Sequence, residues 1–276
     1  MPDVLAVESL RKEYGDLVAV DDVSFAIGDG ESLAIVGESG SGKTTIARMI
    51  IGLERPTGGR ISACGNDRST PARSASKRRQ RGREVQIVFQ DPYTSLDPRH
   101  SAETAIDEVL RIHHGWQPER RQARVAELAG LVGLDDRQRA VPPRSLSGGQ
   151  RQRVAIARAL AAEPEILILD ESVAALDVSI QAQVLNLLAD IRDATGISYL
   201  LISHDLAVVR QLTEQVIVMQ KGSVVERGPT GAVLDDPRHP YTRLLRESVP
   251  RPGWQPRRRI SALHVGDRSA ASVPVR

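Results

Sequence analysis

The chain has 276 residues, of which 41% are hydrophobic and 26% charged, and its formal net charge is only +2. These values are ordinary for a soluble globular protein with a sizeable core, and the charge gives no support for a nucleic-acid partner. The single cysteine, Cys64, excludes an internal disulfide, a cysteine-rich zinc site and a cysteine-ligated iron–sulfur cluster. No secretory signal is visible, and no apolar run reaches the roughly 18 to 20 residues that span a bilayer. We therefore expect any membrane role to come through a partner.

The first 36 residues have a β-rich pattern. Short apolar segments at 5–7, 18–20 and 23–27 are separated by Gly or Asp turns. Another apolar segment, 32–36, precedes a glycine-rich stretch, and the residues after that stretch are typical of a helix that ends near Gly52. The predicted order is strand, glycine-rich loop, helix.

The glycine-rich loop fits the phosphate-binding spacing G-x-x-x-x-G-K-[ST]. Glycines let backbone N–H groups wrap a polyphosphate, and the helix start adds partial positive charge. We expect Lys43 to reach the β- and γ-phosphates and the Thr44 hydroxyl to bind Mg²⁺. The alternative, a Gly/Ser-rich turn with a chance lysine, is disfavoured by the flanking strand and helix. The predicted nucleotide-binding residues are Gly37, Glu38, Ser39, Gly40, Ser41, Gly42, Lys43, Thr44 and Thr45.

The middle of the chain changes pattern three times. Residues 66–83 are rich in Ser, Arg and Lys and are interpreted as a solvated loop, with a nucleic-acid patch as the less favoured alternative. Residues 85–89 predict a short strand that ends at Gln90. From about 95 to 150 the apolar spacing becomes helical, which predicts an inserted helical subdomain.

Strands and helices then alternate again. The apolar run 166–169 is typical of a buried parallel strand, and a helix with one apolar face follows and closes at Gly196. Two more strands precede a hairpin turn at Lys221-Gly222. The predicted fold is α/β, with a phosphate-loop core over 1–250, an antiparallel β subdomain and a helical insert.

Two carboxylates, Asp170 and Glu171, end the buried strand 166–169. In phosphate-loop NTPases such a strand lies beside the loop, its Asp holds Mg²⁺ and a following Glu activates water. Strands often end in charge, so the pattern is weak alone, but a phosphate loop in the same chain strengthens it. A second anion-binding helix start follows Leu146, in the run Ser147, Gly148, Gly149 and Gln150.

With Leu146, that run reads LSGGQ, and the chain here resembles the ATP-binding cassette (ABC) family, whose signature is the same five residues. A linker with Ser147 as a helix cap is the bland alternative. The resemblance implies an ABC-type phosphate-loop fold, ATP and Mg²⁺ as cofactors, and ATPase activity. It also implies a dimer, because each ATP in this family lies between one phosphate loop and the partner's signature.

The resemblance assigns roles to three further residues and one segment. It implies that Tyr14 stacks on adenine, that Gln90 links Mg²⁺ and the attacking water to the transporter-facing loop, and that His204 contacts the γ-phosphate. The segment 175–177 corresponds to the loop that communicates across the dimer. The implied catalytic residues are Glu171, His204 and Gln90, and the implied metal ligands are Thr44, Gln90 and Asp170.

Two stretches narrow the resemblance to ATPases that serve dipeptide, oligopeptide and nickel importers. Residues 90–99 are similar to that group's QDPYxSLxPR stretch, and residues 238–242 are similar to its C-terminal element. The tail 229–276 is therefore expected to be of the peptide-importer type, partly disordered at its end. The chain departs from the family pattern at four positions, none of them a catalytic group: Pro142, Arg144, Ser172 and Ala174.

The resemblance implies an ATPase subunit, peripheral on the cytoplasmic face of the cell membrane, that powers an importer of peptides or similar small solutes. The implied partners are a second ATPase subunit, identical or paralogous, two membrane permease subunits and, indirectly, an extracytoplasmic solute-binding protein. We expect the 90–99 loop to present Tyr93 and Leu96 to the permease, with inward packing as the alternative. The alternative function is a soluble ABC ATPase in translation or DNA repair.

Overall fold

The computed structural model describes residues 3–91, 95–174 and 176–247. Tyr93, Ala175 and the predicted disordered end of the tail lie outside these residues. Within the described ranges, no helix has both the length and the apolar character needed to cross a membrane.

An antiparallel sheet covers one side of the molecule, with the strand order β2-β1-β4-β5. The predicted short strands of the first 36 residues join into two long ones, because bulges at Ser9 and Asp22, both with positive φ, let the chain continue. The strands are β1 (Asp3–Tyr14), β2 (Leu17–Gly28), β4 (Gly58–Ala63) and β5 (Asn66–Asp67).

A mainly parallel sheet forms the centre, with the strand order β10-β9-β3-β8-β7-β6. Only β10 runs antiparallel to its neighbour, as the predicted hairpin requires. The carboxyl ends of the parallel strands lie at one edge, so the loops that follow them come together there. The strands are β3 (Ser32–Val36), β6 (Val85–Val88), β7 (Ile166–Asp170), β8 (Ser198–Ser203), β9 (Gln215–Gln220) and β10 (Ser223–Pro229).

Helices cover the other face of the parallel sheet. The helical layer consists of α3 (Ala102–His113), α4 (Pro118–Leu131), α5 (Asp136–Ala140), a 3₁₀ turn (Pro143–Ser145) and α6 (Gly148–Leu160). Helix α1 (Lys43–Ile50) follows the glycine-rich loop. The later helices are α7 (Val178–Thr195), closed by Gly196, α8 (Leu206–Leu212), α9 (Thr230–Asp235) and α10 (Pro240–Glu247).

Strand β7, which lies between β8 and β6, separates two hydrophobic cores. Leu167 and Leu169 point into the core shared with the helical layer, whereas Ile166 and Ile168 point into the core beneath the antiparallel sheet and α1. All four side chains are fully buried. This explains the continuous apolar run, because a strand covered on both faces has no solvent side.

Most residues of the segment 66–83 are exposed, as predicted, but the prediction that the segment is a loop is wrong. The segment contains β5 and most of helix α2 (Ala75–Glu84), whose first turn is capped by the Ser74 hydroxyl. Arg68 is 3% exposed and donates to the Glu84 carboxylate at 2.6 Å. Buried Arg81 donates to two backbone carbonyl oxygens of the segment. This packing uses guanidinium groups in place of apolar side chains. The apolar pattern of the sequence therefore does not reveal it.

The docking prediction for Leu96 is also wrong. Its side chain is 4% exposed and belongs to the core of the helical layer. The Arg158 guanidinium donates to the neighbouring Ser95 carbonyl, which ties this end of the loop to α6. Leu96 therefore contributes packing, since a buried side chain cannot meet a partner without unfolding the loop.

Candidate functional site

The glycine-rich loop connects β3 to α1 at the carboxyl edge of the parallel sheet. Two of its glycines have no room for a side chain. A Cβ on Gly37 would lie 2.3 Å from the Met219 carbonyl oxygen, and one on Gly42 would lie 2.4 Å from the Ala19 carbonyl oxygen. Both also have positive φ. The loop is thus wedged between β9 and β2, with its conformation set by contacts that only glycine permits.

Lys43, the first residue of α1, turns back into the loop. Its side chain is buried, and its Nζ donates to the carbonyl oxygens of Gly37 and Glu38, each at 2.8 Å. Burial lowers the pKa of this amine, while the carboxylates of Glu171 and Asp170 act in the opposite direction. A cation is therefore held inside the loop by neutral acceptors, with carboxylates nearby.

Thr44 and Asp170 place two oxygen ligands side by side. The Thr44 hydroxyl donates to the Asp170 carboxylate at 3.2 Å, across 126 positions of sequence. Asp170 is the last residue of β7 and is 5% exposed. Burial raises the pKa of its carboxyl group, and the bond from Thr44 partly offsets that rise. A hydroxyl and a carboxylate so placed are the hard oxygen donors that Mg²⁺ prefers.

Glu171 and His204 follow neighbouring parallel strands, β7 and β8, and meet at the sheet edge. The Glu171 N–H donates to the Ile202 carbonyl oxygen at 2.9 Å, and its carboxylate lies 3.4 Å from His204 Nδ1. The Glu171 side chain is about one fifth exposed and that of His204 more than half exposed. A carboxylate and an imidazole thus lie in contact at the open side of the loop.

Two other predicted residues lie at or just beyond the ends of strands. Gln90 is exposed and lies just beyond β6, the strand that pairs with β7. Tyr14, at the end of β1, is 44% exposed, with the Lys12 ammonium 4.6 Å from the centre of its ring. One face of the Tyr14 ring is therefore covered by a cation.

The LSGGQ run begins helix α6 in the helical layer, on a different element from the phosphate loop. Ser147 Oγ accepts from the Gln150 N–H at 3.3 Å, and the Gln150 side chain accepts from the Ser147 N–H at 2.8 Å. The two residues form a capping box that leaves Ser147 exposed. Among the described hydrogen bonds, none joins this run to the phosphate loop of the same chain.

Sequence reasoning missed one residue at the loop. The Glu38 N–H donates to the Tyr241 hydroxyl oxygen at 3.0 Å, although Tyr241 lies 203 positions later, in α10. Tyr241 is 6% exposed. The stretch 238–242 was singled out as a tail element, but nothing in its spacing indicates which part of the fold it contacts.

Comparison with known proteins agrees with this geometry. The family model described as "ABC transporter" matches residues 20–174, and that described as "Oligopeptide/dipeptide transporter, C-terminal region" matches residues 225–269. Among solved structures, cbiO1 from Clostridium perfringens, part of the ABC transporter complex cbiONQ, has a TM-score of 0.77 and 29% identity. The match covers 86% of this chain and 92% of that one.

A second solved structure is a dimeric post-hydrolysis state of the ATP-binding cassette MJ0796, bound to ADP and Pi. It has a TM-score of 0.73 and 29% identity, and the match covers 82% of this chain and 98% of that one.

Three curated relatives are import or transport ATP-binding proteins by name. A Brucella abortus protein with the name "peptide import ATP-binding protein" is 52% identical to this chain. The match covers 87% of this chain and 72% of that protein. The oligopeptide transport protein OppD of Mycobacterium tuberculosis is 48% identical over 88% of this chain and 39% of its own. The glutathione import protein GsiA of Salmonella typhi is 47% identical, and the match covers 84% of this chain and 37% of that protein.

The chain belongs to the ABC transporter family. Within that family it is an ATP-binding ATPase subunit, as the sequence resemblance implied. The predicted α/β phosphate-loop fold with its antiparallel sheet is confirmed by the solved cassettes.

Proposed function

We propose that this chain hydrolyses ATP to drive a membrane importer for peptides or related small solutes. The observation that carries the proposal is the convergence of Lys43, Thr44, Asp170, Glu171 and His204 at one edge of the parallel sheet. The names of these relatives, two for import and one for transport, support the transport role. The soluble alternative in translation or DNA repair has no support among these relatives.

The loop and its lysine bind the phosphates. Glycines 37 and 42 let the loop pack closely against β9 and β2, and phosphate oxygens are better acceptors for the Lys43 ammonium than the carbonyl oxygens that it contacts here. Thr44 and Asp170 hold Mg²⁺, which when bound neutralises charge on the phosphates. Their oxygens, 3.2 Å apart, are close enough that both could bind the same ion.

The Glu171 carboxylate accepts the proton of the attacking water, and His204 and Gln90 position the water and the γ-phosphate. The contact between His204 and Glu171 orients the carboxylate. A base at this point acts mainly in the transition state, so its loss lowers turnover more than ATP affinity.

The remaining predicted ligands act at the ends of the nucleotide. Tyr14 stacks on adenine through the ring face that Lys12 leaves open. Ser147, Gly148, Gly149 and Gln150 bind the γ-phosphate held by a second ATPase subunit, identical or paralogous. The exposed cap at Ser147 supports this role, because an exposed helix start can bind an anion that another chain holds.

The chain works at the cytoplasmic face of the cell membrane, bound to two permease subunits that receive solute from an extracytoplasmic binding protein. Purification from native membranes tests this assembly. We expect the tagged chain to bring down polytopic membrane proteins in stoichiometric amounts. Recovery with ribosomes or DNA instead would overturn the proposal and favour the soluble alternative.

A further inference from the structure

The tail helix α10 contacts the phosphate loop through the Tyr241 side chain. Its hydroxyl oxygen accepts the Glu38 N–H at 3.0 Å, and only 6% of the residue is exposed. Burial raises the pKa of the phenol, which therefore stays protonated. The contact is thus a sheltered, neutral hydrogen bond between the tail and the loop.

The peptide group that Tyr241 contacts is the one that Lys43 also contacts. The N–H of Glu38 and the carbonyl of Gly37 belong to the same peptide bond. Tyr241 accepts from the first, and Lys43 Nζ donates to the second at 2.8 Å. Because a peptide bond is planar, fixing its N–H also fixes the direction of its carbonyl. The orientation of the carbonyl that holds Lys43 therefore depends on the tail.

The tail itself is anchored to the edge of the central sheet. The Glu226 carboxylate, on β10, accepts the N–H groups of Arg238 at 2.8 Å and His239 at 3.1 Å. His239 Nδ1 in turn accepts the Tyr241 N–H at 3.2 Å. Burial raises the pKa of Glu226, but the Thr242 side chain and the N–H groups of Arg238 and His239 lower it, and the net shift is below the ordinary value. The anchor sets the position from which Tyr241 reaches the loop.

We infer that Tyr241 is a positioning residue for nucleotide binding: through the Gly37–Glu38 peptide it holds the loop and Lys43 in the phosphate-binding arrangement. Without the Tyr241 hydroxyl, the nucleotide-free loop also populates other orientations of this peptide. Only the fraction that keeps the right orientation can bind, and the affinity falls in proportion to that fraction. The inference rests on the proposed ATP site and is independent of what the importer carries.

The test compares Tyr241→Phe with Tyr241→Ala in the full chain. Affinity is measured by calorimetric titration with Mg-ADP, which is not hydrolysed. Tyr241→Phe keeps the ring packing, so we expect its melting temperature to fall by only a few degrees, as for one lost hydrogen bond in a chain of this length. Because the freed loop is only partly in the binding conformation, we expect up to about tenfold weaker binding. Tyr241→Ala loses both stability and affinity. The control is Arg246→Ala, on the same helix, where the side chain donates only to the Asp235 carbonyl among the described bonds; it leaves affinity unchanged.

A double-mutant cycle completes the test. Glu226→Gln weakens the anchor and is expected to lower affinity in wild type but to add little in Tyr241→Phe, since both act through one hydrogen bond. Unchanged Mg-ADP affinity in Tyr241→Phe overturns the inference and leaves Tyr241 as a packing residue. Loss of affinity only in proportion to lost stability, or equal loss in Arg246→Ala, also overturns it. If Lys43→Ala binds Mg-ADP as wild type does, the proposed site itself is wrong.

Discussion

Glu171 has a backbone conformation that non-glycine residues rarely adopt, with φ of +48°. Such a residue persists only when its surroundings hold it there. Here the bond from its N–H to the Ile202 carbonyl fixes the turn after β7, and the contact with His204 fixes the carboxylate. A base held this firmly needs little rearrangement to reach its catalytic position.

Lys43 provides a sharp residue-scale prediction. Lys43→Ala removes a buried ammonium that pairs with phosphate in the bound ground state, so nucleotide binding itself weakens. A charged hydrogen bond of this kind corresponds to about 10- to 100-fold in affinity. Titration of the isolated chain with Mg-ADP checks it. The control is Lys77→Ala, an exposed lysine on α2; equal affinities in the two variants would contradict the role of Lys43.

At the same scale, the sequence alone was enough to predict residues whose spacing is set by backbone chemistry. The phosphate loop needs glycines at fixed offsets from a lysine, so its pattern is visible without a structure. Tyr241 could not be found in this way. Its contact with Glu38 depends on how a distant helix packs, and no local periodicity records that.

At the scale of elements, Gly149 sets how closely α6 approaches α7. A Cβ at this position would lie 2.4 Å from Ile180 Cγ2. The second glycine of the LSGGQ run therefore has a packing reason to be glycine, besides the phosphate-binding role proposed for its backbone. Helices packed this closely leave little room for an additional methyl group.

Gly149→Ala is expected to destabilise the chain by about 1–3 kcal/mol through overpacking. In Ile180→Ala the clashing methyl is absent, and the remaining Ile180 Cβ atom would lie 3.7 Å away, an ordinary contact. The double variant should thus be more stable than the sum of the two single effects predicts. Urea denaturation of all four proteins measures this; strictly additive effects would show that the two helices do not meet here.

The segment 66–83 shows why one element was predicted wrongly. Helix α2 buries Arg81 and packs on Arg68, which pairs with Glu84, so its inward face is cationic. Pattern reasoning assigns arginines to solvent, and it fails where guanidinium groups satisfy buried carbonyl oxygens. Helices α3 and α7, whose buried faces are aliphatic, were recognisable from the sequence.

At the scale of the whole molecule, one chain contains two helix starts suited to anions. The first follows Gly42 beside Lys43, and the second follows Ser147 in the helical layer. Among the described hydrogen bonds, none joins the second helix start to the phosphate loop of the same chain. We therefore propose that each chain supplies one half of two shared ATP sites. Closure of such a dimer on ATP would couple the cassettes to the membrane subunits.

Ser147→Arg tests the shared site. The bulky cation blocks the helix start, so the chain should bind Mg-ATP alone with near wild-type affinity yet fail to form an ATP-dependent dimer. Ser101→Arg is the matched control, because Ser101 caps α3 through a hydroxyl in the same manner. Size-exclusion chromatography with ATP distinguishes them. Loss of monomer binding in Ser147→Arg would instead place the signature at its own chain's nucleotide.

The central claim is that hydrolysis at Glu171 powers solute import. The most direct measurement places the chain with its permease subunits in liposomes and follows ATP hydrolysis and peptide uptake together, for wild type, Glu171→Gln and the exposed control Glu119→Gln. We predict that Glu171→Gln keeps ATP affinity while hydrolysis and uptake both fall by about 100-fold or more, and that the control matches wild type. Near-normal hydrolysis in Glu171→Gln, or peptide uptake that continues without hydrolysis, would contradict the account.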